Sequence, residues 1–472
     1  MAKNLIYDIH DKPPMGKRLI FAFQQFLAIL AATIAVPAMI GLPTQMPAAI
    51  FGAGVGTLIY QLFTKFQSPV FLGSSFAFIS SLGIALSYGY GGIVVGTISA
   101  GLVYVVLAII VHFVGTAWVS KLMPPVIIGP VVTLIGLSLA GNAMGNIVKA
   151  DTVADAFRTD NFAALACGLV AFFTIIICSV QKKYTMPKLI PFIIGIITGY
   201  LTASVFTVIG NVANIDYLKI INWDPVVNNF INGEGKFVGI SAFFTIPKFA
   251  GIEAIKELVT GKLSPEIIAA AGKDASVLTP SGIAKVVIAF LPVALVVFAE
   301  HIADHKNLSS IIEHDLIESP GLKRTLLGDG VGSICGTVFG ICPNTTYGES
   351  VGCVAVTRNA SVVTITTTAI MCLVLSFFSP LTTALQTIPS CVMGGVCLTL
   401  YGFIAVSGLK MLKEVDMSEN KNLFVIAAIL ISGIGGLSIK ITDTVEITTI
   451  ATALILGIAT NFVLNLVEKH QK

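Results

Sequence analysis

The sequence predicts an all-α polytopic membrane protein with 14 transmembrane segments in a 7+7 inverted repeat. Three observations carry that prediction. Of 472 residues, 55% are hydrophobic and only 11% are charged, against about 25% charged in a soluble domain. Lysine and arginine collect on one side of the predicted spans. Polar interruptions occupy matching places in the two halves of the chain.

The apolar runs lie near 19–40, 47–64, 70–88, 92–113, 122–148, 161–181 and 187–209, then near 283–305, 326–341, 343–357, 361–378, 385–409, 422–438 and 443–466. A membrane helix needs roughly 20 apolar residues. The first run is as long as a span and lacks a cleavage site, so no signal peptide is expected. The connection 210–282 separates the halves. Within it "IEAIKELV" puts Ile252, Ile255 and Val259 on one helical face, which predicts a helix lying on the protein or at the membrane interface.

With an even span number both termini share a side. That side receives eighteen Lys and Arg residues, whereas the short loops opposite hold only Lys149, Arg158 and Lys440. The positive-inside rule then places both termini in the cytoplasm of a multi-pass cell-membrane protein, with the 210–282 connection outside the cell. The net charge of +3 forms no basic patch, so the lipid bilayer is an expected partner and nucleic acid is not. The eight cysteines include no CxxC pair and read as small buried hydrophobes.

Seven spans per half is an odd number, so the second half enters the membrane from the opposite side. "PPVIIG" at Pro124 resembles "PSCVMG" at Pro389. Upstream of each lies an interruption, "SPVFLGSSFAFISS" and "CPNTTYGES". Interrupted spans at matching places point to a transporter's binding site. Pro343 cannot continue a preceding helix, and Asn344, Thr345 and Thr346 can satisfy local backbone groups. The expected local structure is a short extended piece followed by a helix, whose first N–H groups favour partial negative charge.

Two carboxylates stand out. Glu300 follows a long apolar run, with Asp304 one turn later on the same face. Glu349 heads the helix after the second interruption. An ionised carboxylate at mid-membrane costs about 2.5–3.5 kcal/mol, a cost that taking up a proton relieves. His301 and His305 read as groups flanking the carboxylates or approaching the cytoplasmic edge. Arg358 reads as an edge anchor, and Gln25 as either a helix contact or a pocket contact.

Together these residues resemble the nucleobase–ascorbate transporters, also called the nucleobase–cation symporter-2 family. The resemblance covers nearly the whole chain apart from the connection near 249–282. Its most specific element is the signature "ESVGCVAVTR", Glu349 to Arg358, with Ser350 in place of the usual Asn. "PNTTYGE" and "AEHIAD" look most like the uracil permease branch. The resemblance implies a core domain (19–113 and 283–378), a gate domain (122–209 and 385–466), short strands interrupting spans 3 and 10, and homodimers through the gate domains. It also makes Glu300 and Glu349 the side-chain ligands of the base, with backbone of Phe76, Tyr347 and Gly348 completing the hydrogen bonding. A proton route would run through Asp304 and Glu300, and Gln25 and Ser350 would be further pocket residues. The coupling ion is the proton, and no cofactor or metal is expected.

Uracil fits this chemistry. It is planar and neutral, with two N–H donors for carboxylates and two carbonyls for backbone N–H groups, and Phe76 or Tyr347 can pack on its face. The expected function is therefore proton-coupled uracil uptake by alternating access. A xanthine or other purine permease is the alternative within the family. A channel would need a polar stripe through the whole membrane, and an enzyme a nucleophile–base pair or metal ligands. Neither pattern is present in the sequence.

Overall fold

The computed structural model describes residues 5–148, 161–183, 185–231, 233, 235–272, 274–442 and 445–471. Lys3, Lys149, Arg158 and Lys472, which enter the charge count, lie outside the described residues. In the first half the main elements are α1 (Met15–Met39), α2 (Met46–Phe63), β1 (Leu72–Ser74), α3 (Ile79–Leu86), α4 (Gly89–Val114), α5 (Pro125–Ser138), α6 (Ala140–Ile147), α7 (Phe162–Val180) and α8 (Pro191–Ala213). The connection contributes α9 (Ala250–Thr260) and α10 (Pro265–Ala271). The second half contains α11 (Pro280–Ile312), α12 (Leu322–Val338), β2 (Asn344–Thr346), α13 (Gly348–Thr357), α14 (Val362–Leu375), α15 (Ser390–Met411), α16 (Asn420–Ile434), the strands β3 (Ile439–Thr442) and β4 (Val445–Ile447), and α17 (Thr449–Gln471). Short helical turns link several of these.

The order repeats between halves: two helices, a strand running into a short helix, then a further set of helices. Among the described residues nine helices are long and apolar enough to cross a membrane. The shorter apolar helices include α14 and α16, and one runs from Phe76 through α3. Pro124 and Pro389, matched in the sequence, both stand at N-cap positions, of α5 and α15, and these two helices pack on each other.

α12 contains four glycines and an aspartate, so its composition alone would not hold it in lipid. It is held by packing between α2 and α4. Glycines at four-residue spacing let backbones approach closely. A Cβ on Gly52 of α2 would lie 2.2 Å from the Gly336 carbonyl oxygen, and one on Gly332 would lie 2.7 Å from that of Gly56.

β1 and β2 pair antiparallel, with Leu72 opposite Thr346, Gly73 opposite Thr345 and Ser74 opposite Asn344. All six residues are buried. Backbone can leave the helix at this depth because protein surrounds it. Ser75 N–H donates to the Pro343 carbonyl (2.9 Å), and Tyr347 N–H to that of Phe71 (3.1 Å). Asn344 Nδ2 donates to the Gly52 carbonyl (2.9 Å), tying the strand pair to the glycine seam.

α9 carries the predicted apolar face outward: Ile252, Ile255 and Val259 are 52%, 63% and 81% exposed. Its buried Glu257 accepts hydrogen bonds from the N–H groups of Tyr90 (2.8 Å) and Ser264 (3.1 Å). The carboxylate thus caps the first turn of α4, whose leading N–H groups lack helical partners. Burial pushes the Glu257 carboxyl above its ordinary range, against the pull of those hydrogen bonds. Glu266 is the reverse case. Burial opposes its ionisation, but bonds from Tyr90, Lys248 and Thr44 outweigh it and hold its carboxyl low.

Candidate functional site

The strand pair ends where two short helices begin, and that is where the polar side chains converge. Tyr347 is the N-cap residue of α13 and Ser75 that of the turn Phe76–Phe78, and no side chain caps either start. The two helical starts sit at the ends of paired strands, so backbone donors approach the same space from both halves.

A cavity of about 480 Å³ occupies this space, within the range usual for small-molecule sites. Glu300, Asp304, Phe76, Tyr347, Gly348 and Glu349 all line it. Glu300 and Asp304 share a face of α11 because they stand four residues apart. Asp304 Oδ2 accepts from the Thr346 hydroxyl (2.6 Å). Tyr347 is 3% exposed, and its hydroxyl donates to the Ser74 carbonyl (3.0 Å), which fixes the ring at the wall. Phe76 meets Tyr401 of α15 edge-on, with ring centroids 5.4 Å apart.

Glu300 and Glu349 differ from the other polar groups. Among the described residues neither carboxylate accepts a hydrogen bond from another side chain, and each is partly exposed to the cavity it lines. Polar groups taken out of water are normally paired. Two carboxylates with unused acceptor capacity stand next to uncapped helical starts, so this wall of the cavity offers acceptors for N–H groups and donors for carbonyls.

Gln25 and Ser350 lie outside this lining. Both are buried, at 3% and 1% exposure, and Gln25 Nε2 donates to the Ser350 hydroxyl. They join α1 to α13 as a helix contact. His301 and His305 do not line the cavity beside the carboxylates. A residue next to Glu300 is turned about a quarter-circle away from it on the helix. Both imidazoles are fully buried. His301 Nδ1 lies 2.7 Å from Asp329 Oδ2 of α12, and its Nε2 3.0 Å from the Thr325 hydroxyl. His305 Nδ1 donates to the His301 carbonyl (2.7 Å), and its Nε2 lies 2.8 Å from the Tyr60 hydroxyl.

Several polar groups escaped the sequence reading, one of them, Asp329, away from the cavity lining. Asp329 is a lone carboxylate in a glycine-rich run, a signal available in the sequence but overlooked. Asn307, Ser407, Lys188 and Lys410 line the part of the cavity toward the helix ends that share a side with the start of α1. The two lysines register in the sequence only as loop charges, and nothing local ties them to the cavity.

The profile of a family described as "Permease family" matches residues 16–442. The uracil permease of Bacillus caldolyticus is 35% identical over 477 residues, covering 99% of this chain and 98% of that protein. That of Bacillus subtilis (strain 168) is 34% identical, covering 99% and 97%, and that of Escherichia coli (strain K12) is 30% identical, covering 98% and 94%. Among solved structures, the transmembrane domain of the cyanobacterial bicarbonate transporter BicA superposes with a TM-score of 0.55 at 12% identity, covering 96% of this chain and 98% of that one. The murine anion transporter Slc26a9 in its inward-facing state gives 0.62 at 11% identity, covering 97% and 69%. At these identities the likeness is one of fold.

Proposed function

The chain belongs to the permease family that its residues 16–442 match, a family of multi-pass membrane transporters rather than enzymes, and on that premise we propose that it takes up uracil together with a proton by alternating access. The observation that carries the reading is the pair of cavity glutamates, Glu300 and Glu349, whose oxygens have no side-chain partner among the described residues. Each can accept one N–H of the base. The uncapped helical starts at Phe76 and Gly348 supply N–H donors for its carbonyls. Full-length relatives named uracil permease, at 30–35% identity, support this choice of substrate.

Asp304 gives the proton a second carboxylate one turn from Glu300, bonded to Thr346 rather than free. The proton is the coupling ion, with no metal or cofactor. The core domain is 19–113 with 283–378, and the gate domain 122–209 with 385–466. Movement of one against the other carries the site between faces, and the gate domains join two copies into a homodimer. Both termini lie in the cytoplasm, in line with the lysine and arginine asymmetry. The opening toward the side of Lys188 and Lys410 is then the cytoplasmic one.

The test is competition for labelled uracil uptake into proteoliposomes by unlabelled uracil, thymine, xanthine, hypoxanthine and ascorbate. Uracil is expected to compete at the lowest concentration. Xanthine competing below uracil would replace the substrate and leave the transporter.

A further inference from the structure

The N-terminal segment makes contacts that neither the transport reading nor the sequence required. Residues 6–11 lie along the turn between α13 and α14. The Arg358 carbonyl, just past the end of α13, accepts from the N–H groups of Ile6 (2.8 Å) and Tyr7 (3.3 Å). Ala360 N–H donates to the Tyr7 carbonyl (2.9 Å), and Val362 N–H to that of Ile9 (3.0 Å). Tyr7 and Asn359 form a parallel bridge. Ser361 stands at the N-cap position of α14 but does not cap it; its hydroxyl donates to the Asp11 carbonyl (2.6 Å). Ile9 is 5% exposed and belongs to an apolar cluster with Leu308 and Ile312 of α11, Val351 and Val354 of α13, and Val362 of α14.

α13 has ten residues and is therefore about 15 Å long. Its first turn carries Glu349, and its start is fixed by the pairing of β1 with β2. A helix this short has little hold of its own in a membrane, so its direction depends on what holds its other end. α11, which carries Glu300 and Asp304, passes the same cluster with its last turns. We propose that residues 5–11 are a positioning strap. They fix the far end of α13 against α11 and so set the spacing of the carboxylates that face the cavity. The strap touches no ligand. Its effect on affinity rests on the uracil reading above, whereas its effect on α13 does not.

Two measurements on the full chain separate these. The first is hydrogen–deuterium exchange in lipid nanodiscs for wild type, Ile9→Ala, Ile9→Val and Ser361→Ala. Amides of 349–358 are expected to exchange faster in Ile9→Ala and Ser361→Ala, with those of 79–86 unchanged and Ile9→Val close to wild type. A control, Ile175→Ala in α7, removes another buried isoleucine side chain and should lower thermal stability without singling out α13. Unchanged protection of 349–358, or a rise spread over all helices, would overturn the proposal. The second is uracil uptake. Small misplacements of binding groups cost up to about 10²-fold, and Ile9→Ala is expected to raise KM by roughly three- to tenfold with the maximal rate within about twofold. An unchanged KM with a lowered maximal rate would also overturn it. If wild type moves no uracil, the substrate reading fails and the exchange result still decides the strap.

Discussion

Gly73→Ala isolates the coupling between the strand pair and the cavity wall. A Cβ on Gly73 would lie 2.3 Å from Cε2 and Cζ of the Tyr347 ring and 2.7 Å from its hydroxyl. Carbon atoms rest at about 3.5–4.0 Å, so the ring must withdraw by roughly 1.2 Å or more. The ring has nowhere cheap to go, being 3% exposed and held by its bond to the Ser74 carbonyl. Overpacking of this kind costs about 1–3 kcal/mol, and losing the hydroxyl bond adds about 0.5–1.5 kcal/mol. The stiffer unfolded chain of alanine returns about 0.4–1 kcal/mol. These terms lower folding stability by a net of about 0.5–4 kcal/mol, and separately the displacement of Tyr347 by roughly 1.2 Å at the cavity wall is expected to lower uracil affinity by up to about a hundredfold. The assay is isothermal titration of uracil into purified wild type, Gly73→Ala, Tyr347→Ala and the double variant. Removing the ring removes the clash, so Gly73→Ala should cost almost nothing in the Tyr347→Ala background. Wild-type affinity in Gly73→Ala, or additive losses in the double variant, would refute the reasoning.

Two further predictions concern charge. Glu300→Gln and Asp304→Asn are expected to lose accumulation driven by a pH gradient, and Asp304→Asn to keep counterflow exchange; normal accumulation by Asp304→Asn removes it from the proton route. In the connection, Glu257 has a folded carboxyl raised above its unfolded value, so its contribution to stability is complete below about pH 4.3, the unfolded value, and is lost as pH rises through the folded one. The melting temperature of wild type relative to Glu257→Gln should therefore decline with rising pH above the ordinary glutamate range. A pH-independent difference would contradict that sign.

Much of the architecture was legible because lipid imposes long apolar runs and protein interiors tolerate broken ones. Pro343 and the Asn-Thr-Thr run announced the break, and the 300/304 spacing announced a shared face. What the sequence could not give depends on rotation between helices far apart in the chain. The Gln25–Ser350 bond spans 325 positions, and local pattern leaves Gln25 open between a helix contact and the pocket. His301 is adjacent to Glu300 yet belongs to a different surface, because one step along a helix turns the side chain toward α12 and Asp329. The glycines of α2 and α12 lower apparent helix quality in the sequence, and only their facing positions make them a seam. The docking of Ile9 likewise joins residues some 350 positions apart, as does the Ser361–Asp11 bond, and leaves no periodic trace.

The central claim is that the cavity glutamates, which have no side-chain partner among the described residues, bind the base. Glu349→Gln tests it most directly, because it turns half of an acceptor-only group into a donor while keeping its shape. Titration of uracil into the purified variant is expected to show a loss of about 1.5–3 kcal/mol, the range for hydrogen bonds to charged groups, with the protein still folded. Uracil binding equal to wild type in Glu349→Gln would contradict the account.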